Sequence, residues 1–200
     1  MLREMLHRSL DIFGAVIGLA FIAPFTPLIA LGIKLSGPGP IFVKLPRVSG
    51  GRLIYVYKFR SMIAGAHSLK WQYAKLNERS DGPFFKIKKD PRVTAFGRWL
   101  RRFRIDEYPQ LWNVLLGDMS LVGPRPHEPE EVVLYPDAYR HLISIKAGAT
   151  GLSQISGASS LPFLKELELD SLYIKNRNLF LDTKIIAKTV AILFTDHNAV

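Results

Sequence analysis

The sequence contains no cysteine. Disulfides, thiolate catalysis and cysteine-held zinc are therefore excluded. Acidic residues are scarce: 17 Asp and Glu stand against 27 Lys and Arg, for a formal net charge of +10. That imbalance calls for an anionic partner, whether nucleic acid, lipid headgroups or a phosphorylated substrate. No Walker-type loop, Gly-x-Gly-x-x-Gly fingerprint or Gly-x-Ser-x-Gly elbow is present, so the commonest nucleotide-binding and hydrolase signatures are missing. An Asp-x-Asp pair is missing too, which counts against a sugar transferase that leaves the diphosphate behind. The five histidines (His7, His67, His127, His141 and His197) show no metal-ligand spacing and read as structural or surface residues. There is no internal repeat, low-complexity tail or long linker. At 200 residues and 48% hydrophobic content, the chain suits one domain with a real core.

What the chain does have begins with an uncharged run, Ile12–Ile33, bounded by Asp11 and Lys34. A helix needs roughly 20 apolar residues to cross a bilayer, and this run is long enough. It is too long, and too closely preceded by Asp11, for the apolar region of a cleaved signal peptide. Pro24 and Pro27 interrupt it, with Thr26 between them. Each interior proline costs about 3 kcal/mol or more in a regular helix. The freed carbonyls need a new partner in lipid, which Thr26 is placed to supply. Basic residues flank both sides: Arg3 and Arg8 before, Lys34, Lys44, Arg47 and Arg52 after. A simple spanning orientation is ambiguous with such flanks. The expectation is a re-entrant helix hairpin over residues 1–35, broken at Pro24 and Pro27, with both flanks in the cytoplasm.

Residues 36–200 then read as a small cytosolic catalytic domain, α+β in class and mostly helical. The breaker-rich Ser36-Gly37-Pro38-Gly39-Pro40 opens it. Strands are expected at Ile41–Lys44 and Leu53–Phe59, joined through Gly50-Gly51. Helices are expected over Ile63–Leu76, Val93–Phe103 and Asp106–Leu116, and Glu130–Ile145 is a stretch rich in apolar residues interrupted by Pro136. Two further amphipathic helices, Leu161–Asn176 and Asp182–Phe194, suit either the core or a membrane interface.

Asp106-Glu107 falls at an expected helix start, where Asp caps and Glu complements the helix dipole. Pro109 supports that placement, because proline is tolerated only in the first turn. A capping pair needs no further duty, yet its setting is unusual. Between Lys86 and Arg104 there are eight Lys or Arg residues and one acid, Asp90. Carboxylates beside such charge are expected to stay ionised, available as nucleophile or divalent-metal ligands. Arg98, Arg101 and Arg102 lie within about one helical turn and suit bidentate phosphate contacts. Lys58 and Arg60 at a strand end offer two more cations, and Gly123-Pro124-Arg125-Pro126 is a stiff turn that presents Arg125. The bottom-up reading is an enzyme acting on a membrane-bound phosphate. The competing one is a non-enzymatic membrane adaptor whose basic face binds anionic lipid or nucleic acid.

Several long motifs in fixed order decide between these. They include Leu10-Asp11-Ile12, Tyr57-Lys58-Phe59-Arg60-Ser61-Met62, Asp90-Pro91-Arg92-Val93-Thr94 and Gly97-Arg98-Trp99-Leu100-Arg101-Arg102. They continue through Asp106-Glu107-Tyr108-Pro109-Gln110-Leu111-Trp112-Asn113 and Gly117-Asp118-Met119-Ser120-Leu121-Val122-Gly123-Pro124-Arg125-Pro126. Over nearly its whole length the chain resembles the bacterial sugar transferases, the monotopic class of polyprenyl-phosphate phosphoglycosyl transferases. The resemblance implies transfer of a sugar 1-phosphate from a UDP-sugar to a polyprenyl phosphate (undecaprenyl phosphate in bacteria), with release of UMP. It implies Mg²⁺ as cofactor, membrane lipids and no nucleic acid as partners, and the cytoplasmic face of the bacterial inner membrane as location. The pathway implied is exopolysaccharide, capsule or O-antigen assembly. Asp106 matches the family's nucleophile and Glu107 its partner in holding Mg²⁺. Arg101 and Arg125 match arginines near the nucleotide phosphates or uridine.

The chain departs from the family pattern in three places. Ala23-Pro24 and Thr26-Pro27 stand where Ser-Pro is usual, and Phe103-Arg104-Ile105 stands where Thr-Ser-Leu is common. Gly151-Leu152-Ser153-Gln154-Ile155-Ser156-Gly157-Ala158 lacks the Trp and Arg usual at the positions of Ser153 and Ala158, from which a changed donor preference is expected.

Overall fold

Two prolines in the apolar run divide it into two helices. In a computed structural model of the chain, which describes residues 2–157 and 160–195, α1 (Leu2–Ile22) and α2 (Thr26–Leu35) are joined by a single 3₁₀ turn, Ala23–Phe25. Thr26 Oγ1 donates to the Ile22 carbonyl at 3.1 Å, so the hydroxyl between the prolines does compensate for a lost backbone donor. One face of the pair is bare, with Phe13, Ile17, Phe21, Leu28, Leu31 and Leu35 exposed. The other face belongs to the protein core. Ala15 joins the main cluster with Ile54, Val114 and Met119, while Ile22, Ile29 and Ile33 pack with Phe59 and Leu100. The expected boundary at residue 35 is thus crossed by two apolar clusters.

A hairpin follows, made of β1 (Phe42–Ser49) and β2 (Arg52–Phe59), with Ser49 opposite Arg52 and Phe42 opposite Phe59. Gly50 and Gly51 both have positive φ, which the two-residue turn of a right-twisted hairpin requires. The first strand runs past the expected Lys44 because Pro46, lacking only a donor, is tolerated on an edge strand. The helix expected over Ile63–Leu76 is absent. Gly65 turns the chain at positive φ, and only 3₁₀ turns over Lys70–Leu76 remain.

Next come α3 (Ala95–Arg102), a 3₁₀ turn at Ile105–Glu107 and α4 (Gln110–Leu116). The single helix expected from Asp106 is split at Pro109, which has no N–H to continue the ladder. A small parallel sheet pairs β3 (Ser120–Val122) with β4 (Gly148–Thr150). Between its strands lie a one-turn helix, α5 (Pro129–Val132), and 3₁₀ turns at Asp137–Ser144. Pro136 separates the two, at the interruption that the sequence shows there. The chain closes with α6 (Leu152–Ile155), α7 (Phe163–Asn176) and α8 (Leu179–Thr195). The last is anchored inward by Ile185 and Asp182, both buried. Ala158 lies outside the described residues. The fold is α+β and mostly helical.

Candidate active site

The site forms where α3, the turn carrying Asp106 and the end of β2 converge. Thr94 starts α3 by accepting from the Gly97 backbone N–H at 2.9 Å, a normal N-cap. Gly97 itself lies against the Ser61 carbonyl, where a β-carbon has no room, so α3 packs directly on the end of β2. Its last turn carries Arg101, whose Nε donates to Ser61 Oγ at 2.9 Å.

Arg104 then takes a left-handed backbone conformation, φ 53°, a conformation that is costly for a residue with a β-carbon. That bend redirects the chain so that Asp106 points inward, buried, while Glu107 faces the cavity. The next helix is pinned by Asn113, completely buried. Its amide donates to the Tyr55 carbonyl and accepts from the Tyr57 N–H, both at 2.9 Å. One side chain thus reproduces a strand's hydrogen-bonding edge and fixes α4 against β2. Lys58, the next residue on β2, is thereby registered with the dyad. Its ammonium donates to Glu107 Oε1 at 2.5 Å.

Around this pair opens a cavity of about 1050 Å³, lined by Asp106, Glu107, Lys58, Arg101, Arg104 and Arg125. Lys86, Lys88, Lys89, Lys70 and Arg47 line it as well. The structure therefore brings Asp106, Glu107, Lys58, Arg101 and Arg125 together. Arg60 also borders the cavity, but its terminal nitrogens donate to the carbonyls of Ile33 (2.9 Å), Gly37 (2.6 Å) and Pro38. It closes the C-terminal end of α2 and fastens the following turn. Its expected role as a phosphate contact gives way to that one. Arg92 is likewise engaged, forked onto Asp90 at 2.7–3.3 Å.

The two carboxylates titrate apart. Burial pushes Asp106 above the ordinary aspartate value, with the neighbouring Glu107 charge adding to the effect and Lys58 and Arg101 opposing it. Burial also works to raise Glu107, but the charge and hydrogen bond of Lys58, aided by Arg125 and Arg104, outweigh it and hold Glu107 at about 2. At Asp106 burial thus works against the ionised form that the sequence leads one to expect, while Lys58 and Arg101 work for it. Paired carboxylates pushed in opposite directions commonly divide their labour in catalysis.

Two functional residues are not legible in the sequence. Arg104 reads there as one more cation, and nothing local marks its left-handed turn. Glu166 on α7 approaches Arg125, its Oε1 3.8 Å from Arg125 Nε; it is 41 positions away, and only the tertiary fold brings it close.

A cation-lined cavity with two carboxylates on its wall thus stands in one chain with an N-terminal helical segment long and apolar enough to cross a membrane. The chain belongs to the bacterial sugar transferase family, whose profile matches residues 2–196. It is 39% identical over 185 residues to the UDP-glucose:undecaprenyl-phosphate glucose-1-phosphate transferase of Xanthomonas campestris pv. campestris, covering 88% of this chain and 36% of that protein. It is 36% identical over 197 residues to the undecaprenyl-phosphate galactose phosphotransferase of Salmonella typhimurium, covering 95% and 40%. To the exopolysaccharide production protein ExoY of Rhizobium meliloti it is 34% identical over 190 residues, covering 93% and 84%. The chain spans about two fifths of the length of several of these curated relatives.

Proposed function

We propose that this protein is a phosphoglycosyl transferase that moves a sugar 1-phosphate from a UDP-sugar to a polyprenyl phosphate and releases UMP. The observation that carries this is the placement of a buried aspartate beside a lysine-held glutamate on the wall of a cation-lined cavity. A lipid- or nucleic-acid-binding adaptor has no use for a carboxylate in such a position.

In the first step an oxygen of Asp106 attacks the β-phosphorus of the donor. A P–O bond forms to the aspartate, and the bond to the α-phosphate oxygen breaks, so UMP leaves with that electron pair. In the second step an oxygen of polyprenyl phosphate attacks the same phosphorus and displaces the carboxylate. The lipid diphosphate sugar departs and Asp106 is regenerated. Splitting one displacement into two is the usual advantage of a covalent intermediate. Arg101, Arg104, Arg125 and Lys58 are positioned to offset the charge that develops on the transferring phosphoryl group.

Asp106 and Glu107 also suit Mg²⁺, which commonly takes one or two protein carboxylates and completes its shell with phosphate oxygens and water. Among the described residues no cluster of three or more metal-ligating acids or histidines exists, so the two carboxylates are the donors this chain would offer. Bound there, the ion would supply further neutralisation of the diphosphate.

The apolar helix pair supports a re-entrant arrangement on the cytoplasmic face of the inner membrane. Near its start, Arg8 donates to the Val114 and Leu115 carbonyls at 2.6 and 2.8 Å, and Asp11 accepts from the Leu121 N–H at 2.7 Å. Near its end, Ile33 packs with Phe59 and Leu100. Both flanks hold the same catalytic unit, which supports entry and exit on one side. The relatives' names point to hexose donors and to undecaprenyl phosphate as acceptor.

The test is to incubate the detergent-solubilised protein with Mg²⁺, undecaprenyl phosphate and UDP-glucose, UDP-galactose or UDP-N-acetylgalactosamine, and to measure UMP. Lipid-dependent UMP from one of these donors establishes the reaction. Release of UDP instead, or no nucleotide release from folded protein, rejects it.

A further inference from the structure

Beside Arg125 lies a buried polar chain that the chemistry above does not use, two of whose members, His127 and Glu166, also border the cavity. Tyr135 donates its hydroxyl hydrogen to His127 Nδ1. His127 Nε2 donates in turn to Glu166 Oε1 at 2.8 Å, and the same oxygen lies 3.8 Å from Arg125 Nε. One helical turn farther along α7, Asp170 Oδ2 accepts the backbone N–H of Arg125 at 2.9 Å. Glu166 and Asp170 are each 1% exposed. Residues four apart share a helix face, so α7 presents two carboxylates to one residue: one holds its backbone, the other its guanidinium.

Sinking two carboxylates costs several kcal/mol each unless they are well partnered, and an apolar helix face would serve packing better. The partners found are those that fix an arginine. Arg125 is only a third exposed, lines the cavity and also feels the charge of Glu107. Pro124 and Pro126 remove backbone freedom on either side of it.

We propose that Glu166 is a positioning residue for Arg125, its charge orienting the guanidinium so that the terminal nitrogens meet the diphosphate of the nucleotide donor. His127 and Tyr135 hold Glu166 in turn. The inference rests on the UDP-sugar reading above. Preorganising a cation in this way saves the ordering cost that a free arginine side chain would incur on binding.

The experiment measures the affinity of the full chain in detergent for UDP with Mg²⁺ by calorimetry, alongside thermal melting. Glu166→Gln keeps the shape but removes the charge, and it weakens UDP binding about tenfold, an ordinary cost for a misplaced contact. Arg125→Ala weakens it at least as much. The double variant binds no more weakly than Arg125→Ala alone, because Glu166 acts through Arg125. Tyr135→Phe leaves no charge unpaired and gives a smaller loss in the same direction, again absent in the Arg125→Ala background. If Glu166→Gln does not fold, Tyr135→Phe carries the test by that same comparison.

Folded Glu166→Gln that binds UDP like the wild type overturns the proposal, as do losses that simply add to that of Arg125→Ala. Either result leaves the transferase reading standing. A wild type that binds no UDP removes both.

Discussion

Lys58 and Glu107 meet on the lining of the cavity at 2.5 Å, and from that position the ammonium acts on both members of the dyad. It bonds directly to Glu107 and lowers Asp106 through space. The lysine therefore favours the charged form of the buried aspartate against the effect of burial.

Lys58→Met tests this. Asp106 already titrates above the usual aspartate range because it is buried, and removing the nearby positive charge raises it further. Since attack requires the carboxylate, the acid limb of the kcat profile moves to higher pH in the variant. An unmoved acid limb would dissociate Lys58 from the titration of Asp106.

Asp106→Asn retains the shape of the side chain and loses the anionic oxygen. Turnover falls by at least about a thousandfold, in line with the removal of nucleophiles elsewhere, while melting stays close to wild type. Mass spectrometry of wild-type protein given a UDP-sugar without lipid acceptor shows an added sugar phosphate. The same addition on Asp106→Asn would place the nucleophile elsewhere.

Asp170 makes an opposite prediction for stability. Burial lifts its carboxyl to about 6, above the value it has when unfolded. The native state therefore favours the protonated form, and the fold loses stability as pH rises from the unfolded value through 6. Asp170→Asn keeps an oxygen for the Arg125 N–H and cannot ionise. It stabilises the protein at pH 8 by up to about 3 kcal/mol, because the native carboxyl holds its proton roughly a hundredfold more tightly than the unfolded one. The gain vanishes near pH 4. Melting curves at the two pH values decide it.

Because the chain has no cysteine, single cysteines report topology cleanly. Arg3→Cys and Arg52→Cys flank the apolar helices on either side. In sealed vesicles, a membrane-impermeant maleimide labels both from the same face. Labelling from opposite faces would mean that the segment crosses the bilayer.

Much of this architecture was legible because its signals are local. Two prolines around a threonine announce a helix break and its repair, Gly-Gly announces a tight hairpin, and Pro109 places the dyad beside a helix start. The basic stretch before it gave the cavity its charge. Legibility ended where a side chain's role depends on a distant partner. Asn113 looks like an ordinary helix residue, yet it completes the edge of β2, more than fifty positions away. Arg60 looks like a phosphate ligand, but the end of α2 folds back to claim its donors first. The lost helix at Ile63–Leu76 failed for a related reason. Composition favoured it, but Gly65 and the demands of the cavity wall prevailed.

Arg8 carries a consequence for anyone hoping to study this protein in water. Its guanidinium caps the last carbonyls of α4, the helix that follows the dyad, and Ala15 lies in the same core as Val114 and Met119. Trimming away the greasy N-terminal helices to gain solubility would therefore uncap the reactive helix and open a hole in the hydrophobic centre. The helix pair is part of the core on which α4 rests, so a chain without it is expected to lose the fold that carries the dyad.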